Sequence, residues 1–440
     1  MVDEKERILP LDSFLFPRFC QAFRMSIQPS KLVLAFGALA VVCLTGWIMD
    51  SINPSVIVGP NGLTGLEEYH MTVPGQDDHP LSLASPGTRA GVFATLWSFG
   101  TRHLHSAVRS LFELNGYQVI SDIVACFLAI VWAFRHHAMY SLIFFAVVLA
   151  AMSLAGGAIC RIAAVQFAGG DRPGLTAAVR FSVGKFTSFF TAPITPILVI
   201  LIAGALIMLL GLWGNIPVVG ELSVGLLLPF LLAAAAVIAV IAIGTLAGLS
   251  LMFPSIAYED SDCFDAISRS FSYVYARPWR TGFYMVVAFV YGAICYLFVR
   301  FFAFLLLWIT YGFLQVGFMQ HNAKLHVIWR EPTFDDFLGV STAAPRDWST
   351  GIAAFLVYFW VLIVVGLVVS FVISFYFSAS TILYALLRKR VDLIPLEDVC
   401  TYPEEAAAEA LAPGLAAQAP PAAGQTADLP GADQQAAPSG

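Results

Sequence analysis

The sequence predicts an all-α, polytopic transmembrane helix bundle of about six spans, with interfacial amphipathic helices and a disordered C-terminal tail; seven or eight spans are the alternatives. Three observations predict it. The 440 residues are 59% hydrophobic and only 12% charged, whereas a soluble domain carries about 25% charged residues. The apolar residues gather into blocks that match or exceed the roughly 20 residues needed to cross about 30 Å of hydrocarbon. Short segments with one polar and one apolar side at helical spacing stand before several of these blocks.

Residues 1–31 form a basic segment, with Lys5, Arg7, Arg18, Arg24 and Lys31 ahead of a first span at 32–49. The positive-inside rule places this segment in the cytoplasm. The polar stretch is too long for a secretory signal, and no small-residue cleavage site follows, so the first span is expected to stay attached. Residues 50–118 are rich in Gly and Pro and hold no Lys or Arg before Arg89. They read as an extracytoplasmic loop with one surface helix near Gly91 to Leu114.

The transmembrane helical domain covers 119–390. Val119 to Phe134 is short and contains Asp122, whereas Ala138 to Ala168 is long enough to cross with tilt or to project beyond the bilayer. An interfacial segment from Asp171 to Phe186 leads to a span at Phe189 to Trp213. Pro193 and Pro196 are placed near the start of that span, where missing amides cost least. A tight turn at Asn215 to Glu221 returns the chain through Leu222 to Met252.

The stretch from Phe253 to Tyr291 joins two apolar segments through a short charged helix. Phe264, Ile267, Phe271 and Val274 recur at helical spacing, with Asp265, Ser268, Arg269 and Ser272 on the other side. Asp262 is expected to cap it, Asp265 and Arg269 to pair i,i+4, and Arg277-Pro278 to end it. Trp279 and Arg280 mark the headgroup level. Two long apolar runs follow, Thr281 to Met319, interrupted by Arg300, and Ile352 to Leu387, closed by Arg388-Lys389-Arg390. Each is a single span or a hairpin. Residues 391–440 form a disordered, acidic, Ala/Pro-rich cytoplasmic tail. Every charge after Arg390 is acidic, and without those eight the net charge of −6 becomes +2.

Basic residues decide between topologies. If 119–134 does not cross, six spans put fifteen Lys and Arg inside and seven outside; if it does, seven spans put nine inside and thirteen outside. Six spans satisfy the positive-inside rule. Both termini are then cytoplasmic.

Three segments share one physical order: CQAFRMSIQPSKLVLAFGAL, AAVRFSVGKFTSFFTAPI and DAISRSFSYVYARPWRTGFY. Each carries Ala, an Arg, Ser and then a bilayer entry, which suits an internal repeat of surface helix plus span or a coincidence among amphipathic segments. Gly244xxxGly248, Ser153xxxGly157 and Gly366xxxSer370 are spacings that let helices approach closely, in this chain or in self-association.

The candidate functional charges are Asp122, Arg161, Arg300, Glu259, Asp262, Asp265 and Arg269. An ionisable group at membrane depth is costly, which singles out Asp122, Arg161 and Arg300. Arg300 either lines a polar path or pairs with Asp122, or it snorkels to the outer interface or marks a hairpin turn, the favoured reading. Glu259, Asp260, Asp262 and Asp265 are rich enough in oxygen to hold a divalent cation, but their spacing matches no calcium loop. A solvated helix N-terminus is the favoured reading. His103 with His105, His136 with His137, and His70 with His79, Asp77 and Asp78 lack zinc-enzyme spacing and read as solvated or interfacial. The seven cysteines show no pairing pattern and read as small apolar residues. No phosphate loop, dinucleotide fingerprint, nucleophile elbow, HExxH or basic-aromatic nucleic-acid surface appears, so no cofactor and no nucleic-acid partner is expected.

Gly156-Gly157-Ala158 to Arg161, Gly174 to Ser182, Phe253-Pro254 with Glu259, Phe264-Asp265-Ala266, Arg269-Ser270-Phe271 and Leu383-Tyr384 to Arg388 carry a further likeness. Over roughly Ala138 to Val391 the chain resembles uncharacterised bacterial multi-pass membrane proteins. These are distantly similar to the membrane domain that accompanies some glycerophosphodiester phosphodiesterases. The phosphodiesterase catalytic domain has no counterpart here, so the resemblance implies architecture and no site residue. The expectation is a non-enzymatic protein of the cytoplasmic membrane that organises lipid or a protein partner at the cytoplasmic face; the alternative is a transporter or channel-like protein.

Overall fold

The computed structural model describes residues 20–57, 64–71, 89–169, 173–318, 322–334, 336–339, 347–396 and 399. Expectations for 1–19, for His79 with Asp77 and Asp78, and for the acidic tail beyond Cys400 lie outside them. In chain order the elements are α1 (Cys20–Ser26), α2 (Pro29–Ile52), β1 (Val56–Ile57), α3 (Gly65–Met71), β2 (Arg89–Ala90), α4 (Val92–Phe112), α5 (Gly116–His136), α6 (Ala138–Phe167), α7 (Leu175–Gly184) and α8 (Phe186–Trp213). They continue with α9 (Val219–Glu259), α10 (Cys263–Ala276), α11 (Pro278–Phe318), α12 (Asn322–Ile328) and α13 (Trp348–Val391). β1 and β2 pair antiparallel, with Val56 opposite Ala90. Seven helices, α2, α5, α6, α8, α9, α11 and α13, are long and apolar enough to cross a membrane. The protein is an all-α, multi-pass bundle.

Local chemistry sets the helix ends. Pro29 and Pro278 open α2 and α11, where a missing amide costs least. The Asn115 side chain accepts from the Gln118 amide at the start of α5, and Asp347 and Thr350 form a capping box on α13. Asp262 stands at the N-cap of α10 without making the expected side-chain cap. Pro193 and Pro196 lie inside α8, because that helix begins at Phe186 and packs both prolines against its neighbours.

Side-chain contacts define the two ends of the bundle. At one end, called basal, Lys31 of α2 meets Gln166 of α6, Lys185 before α8 meets Asp260 after α9, and Arg388 of α13 meets Glu259 of α9. At the distal end Tyr140 of α6 donates to Asp50 of α2 at 2.6 Å. Asp50 also accepts from the Phe93 and Ala94 amides at 3.1 and 2.9 Å, so one helix caps the start of another. Gly91 makes this possible, since a Cβ there would stand 2.1 Å from the Asp50 carboxylate.

α4 therefore starts at the distal end, and it descends beside α2 while α5 returns antiparallel to it. His137, just after α5, is back at the distal level against Ser55, 3.2 Å away. The structure overturns two expectations here. Residues 92–112 are not a surface helix in an outer loop, and 119–134 belongs to a crossing-length helix. Because α4 travels with α5, eight helices traverse the bundle, and both ends of the described chain stay at the basal end. The charge balance that argued against α5 alone does not argue against the pair. The other alternative is also decided: α11 and α13 are uninterrupted helices of 41 and 44 residues. At about 1.5 Å per residue each is roughly twice as long as the hydrocarbon is thick.

The three look-alike segments form α1, α7 and α10, each followed by a break and then by a helix rising from the basal end. Ala22 and Ser26, Ala178 and Ser182, and Ala266 and Ser270 are pairs four residues apart, and all six are fully buried. Each pair faces a small-residue stretch on a descending helix. Ser374 of α13 donates to the Ser26 carbonyl at 2.9 Å, Ser182 donates to the Leu154 carbonyl of α6 at 2.7 Å, and Ser270 lies over Gly248 of α9. Each short helix thus docks on the descending helix of the preceding unit, and α1 closes the ring on the last. The descending helices α6, α9 and α13 pack on one another. Beyond the docking sites they run Ala164-Val165-Gln166-Phe167, Ser255-Ile256-Ala257-Tyr258 and Thr381-Ile382-Leu383-Tyr384, and the last two tyrosine rings meet at 5.7 Å. The small-residue spacings serve this internal packing: Gly244 meets Tyr275, Gly157 meets Ser182, and Gly366 meets Phe36.

A Cβ on Gly157 would lie 2.6 Å from Ser182 Oγ and 2.7 Å from the Phe189 ring. Gly157→Val is expected to cost about 1–3 kcal/mol by overpacking. Gly37→Ala, with nothing within 4 Å of the added carbon, is expected to cost nothing. Thermal unfolding of both variants in detergent checks the difference.

Candidate functional site

The candidate site is the basal centre, where α9 ends, α10 begins and α13 passes. Glu259 closes α9 with its side chain only 9% exposed. Arg269 of α10 lies 2.6 Å from one carboxylate oxygen, Arg388 lies 3.1 Å from the other, and the Tyr384 hydroxyl donates to that second oxygen at 2.6 Å. Arg269 also holds Asp265 at 3.0 Å, the predicted i,i+4 pair. Burial works against the Arg269 charge, yet Glu259 first and then Asp265 hold the guanidinium protonated above the ordinary arginine range. Arg388 also lies over the Tyr258 ring. Tyr273 of α10 donates to Asp392, and burial, followed by that carboxylate, holds its phenol protonated above the usual range.

Three further cations surround this centre. Arg161 is fully buried, donates to the Ala257 carbonyl at 2.9 Å and stacks 4.6 Å over Phe181 of α7. Lys185 bridges α8 to the end of α9, with its ammonium 2.8 Å from the Asp260 carbonyl and 3.0 Å from its carboxylate. Lys31 is fully buried and donates to Gln166 at 3.3 Å. The favoured reading of the acidic group as one solvated helix terminus is corrected for Glu259 and Asp260, whose oxygens are taken by cations because α13 and α8 converge there. It describes Asp262, which is 84% exposed.

Asp122 and Arg300 do not form the pair considered from the sequence. Asp122 of α5 is buried, and its carboxylate lies 2.8 Å from His103 of α4. Arg300 donates to the Phe334 carbonyl at 2.7 Å and stacks over Phe334 and Phe337 of the loop before α13. It lies inside an unbroken helix, so it marks no hairpin turn. Tyr296 lies between Arg300 and His105 of α4, so the two polar groups are linked to the same helix rather than to each other. His103 and His105 are accordingly packed and bonded, not solvated. Farther toward the distal surface, Glu67 of α3 pairs with Arg102 of α4 at 2.5 Å.

Tyr384, Arg388, Lys185 and Lys31 were not among the sequence candidates. Arg388 is legible in the sequence as part of a basic run closing a span and of a segment carrying the resemblance, and Lys31 as a cation ahead of the first span; their partners come from distant helices. Among the described residues no three His, Cys, Asp or Glu side chains converge as a metal site. Glu259 already faces two guanidinium groups and a phenol. The arrangement is chemically suited to locking α9, α10 and α13 together. Comparison of the chain with family models, curated proteins and solved structures finds no match.

Removing one partner of a buried ion pair costs about 3–5 kcal/mol because the other charge stays behind. Glu259→Gln is expected to lower stability by about 3 kcal/mol, and Asp262→Asn to leave it unchanged; thermal unfolding at neutral pH checks both. Burial raises the Glu67 pKa, but the Thr64 amide, Arg102 and the Thr64 hydroxyl together outweigh burial and hold it below the ordinary value. The stabilisation is therefore present above the ordinary glutamate value and is lost as pH falls through the depressed one. Hydrogen exchange is expected to show α3 loosening in that acidic window, with no such step in Glu67→Gln.

Proposed function

We propose that this is a non-enzymatic, multi-pass protein of the bacterial cytoplasmic membrane that gathers anionic lipid headgroups at its cytoplasmic face. One observation carries the reading: the short helices docked at the basal end bury their Ala/Ser faces and leave Arg24, Arg180 and, around the α10–α11 break, Arg277 and Arg280 exposed. Exposed cations beside spans attract anionic headgroups by about 1 kcal/mol each.

Orientation follows from the same asymmetry. Among the described residues the distal part exposes Arg89, Arg102, Arg135 and Arg330, fewer cations than the basal end, which adds Lys389 to the four exposed arginines and holds Lys31, Arg161, Lys185, Arg269 and Arg388 besides. The positive-inside rule therefore puts the basal end in the cytoplasm. A relation to the membrane domains that accompany glycerophosphodiester phosphodiesterases belongs to this proposal. Gly157, Arg161, Ser182, Glu259, Arg269 and Arg388, from the segments that carry the resemblance, line the basal helices or meet at their centre.

A second reading, transport, is favoured by the buried Asp122–His103 pair, since ionisable groups at this depth commonly serve ion or solute paths. Solute flux through reconstituted protein that is abolished by Asp122→Asn would replace the first reading with this one.

Under the headgroup reading, reversing Arg24, Arg180, Arg277 and Arg280 to Glu lowers retention of phosphatidylglycerol at least tenfold, measured by native mass spectrometry. Reversal of Arg89 and Arg135 leaves it unchanged. Equal retention in both variants would sink the proposal. A thiol placed at Ser268 is expected to resist membrane-impermeant labelling in intact cells and to react after lysis; labelling in intact cells would invert the orientation.

A further inference from the structure

The three units are alike in how they dock, but one seam between them is open. α2 packs on both α6 and α13, and α8 packs on both α9 and α6. The equivalent α11 packs on α13 and barely touches α9. A cavity of about 460 Å³ fills the gap, within the range of about 300–1,000 Å³ usual for small-molecule sites. Leu246 and Leu249 of α9 face Met285 and Phe289 of α11 across it, Phe375 of α13 lies in its wall, and Leu104 at the lower part of α4 contributes to its edge. No charged residue lines it, and the polar residues in its lining are Ser250, Tyr296, Tyr376 and Ser380.

We propose that this seam holds one acyl chain of a membrane phospholipid. The rim residues Leu246, Leu249, Phe289 and Leu104 are all exposed on the flanks of their helices, so the mouth opens sideways, at the level of the crossing helices. In a bilayer the phase at that mouth is hydrocarbon. A chain there supplies the dispersion contacts that the missing α9–α11 interface would otherwise provide, contacts that an empty gap forfeits. Water gains little in an apolar space with so few partners. The inference needs the bundle to lie in a bilayer and does not depend on the basal headgroup reading. A failed charge-reversal experiment leaves it standing, and its own failure leaves that reading standing.

The test is photolabelling of the full chain in nanodiscs of phosphatidylethanolamine and phosphatidylglycerol that contain a phospholipid with a mid-chain diazirine, followed by peptide mapping. Labelling at Leu246–Ser250 and Met285–Phe289 is expected to exceed that on the lipid-facing stretch Leu201–Leu206 of α8 at least threefold. Ala288→Trp, which fills the cavity from its α11 wall, is expected to bring seam labelling down to the α8 level without changing α8. Wild-type seam labelling no higher than that of α8, labelling unaffected by Ala288→Trp in a folded protein, or stronger seam labelling by a diazirine isoprenoid would each overturn the proposal. The wild-type comparison decides the matter even where the tryptophan variant does not fold.

Discussion

Close approach of short helices to long ones is the constraint on which this bundle depends. In hydrocarbon the apolar surfaces of two helices gain little by leaving lipid for each other, so association rests on backbones that come close enough for dispersion and hydrogen bonding. Here that need is met three times by an Ala/Ser pair set against glycine or serine on a descending helix. Ser182 and Ser374 use the proximity directly, each donating to a carbonyl of the neighbouring helix. The ring closed by α1 on α13 joins the first unit to the last.

The polar groups at the basal end complete what this packing begins. Once α9 and α13 are brought together at Tyr258 and Tyr384, the buried Glu259 and Arg388 fall within reach of each other, and the partly exposed Arg269 completes the compensation of charge. Their value lies in registry: a slip of α13 along α9 would separate the buried Arg388 and the Tyr384 hydroxyl from the Glu259 carboxylate. Arg161 and Lys185 do the same for α6 and α8 by bonding carbonyls at the end of α9. The threefold plan is thereby pinned by unlike side chains, which the repeated Ala/Ser pairs alone do not do.

The α4–α5 hairpin stands outside the threefold plan. It is inserted in the first unit between the rising α2 and the descending α6, and it carries His103, His105 and Asp122 to a depth where lone charges are costly. Its partners are correspondingly polar. α4 has an apolar side too narrow to resemble a span by composition, yet it traverses the bundle because Asp50 caps its start and α2 and α5 cover its flanks.

The sequence by itself determined the all-α membrane class, the approximate extents of α2, α6, α8, α9 and α10, and the Asp265–Arg269 pair, because these depend on hydropathy and helical spacing within a few turns. It also marked Ala22, Ala178 and Ala266 as members of similar segments. Only the tertiary structure decided that α5 belongs with the crossing helices, that α11 and α13 run unbroken, and that Asp122 meets His103 instead of Arg300. The physical reason is common to all of these. A charge at membrane depth is tolerated or not according to its partner, and the partner of Asp122, like those of Glu259 and Arg161, comes from a different helix, whose proximity no local pattern encodes.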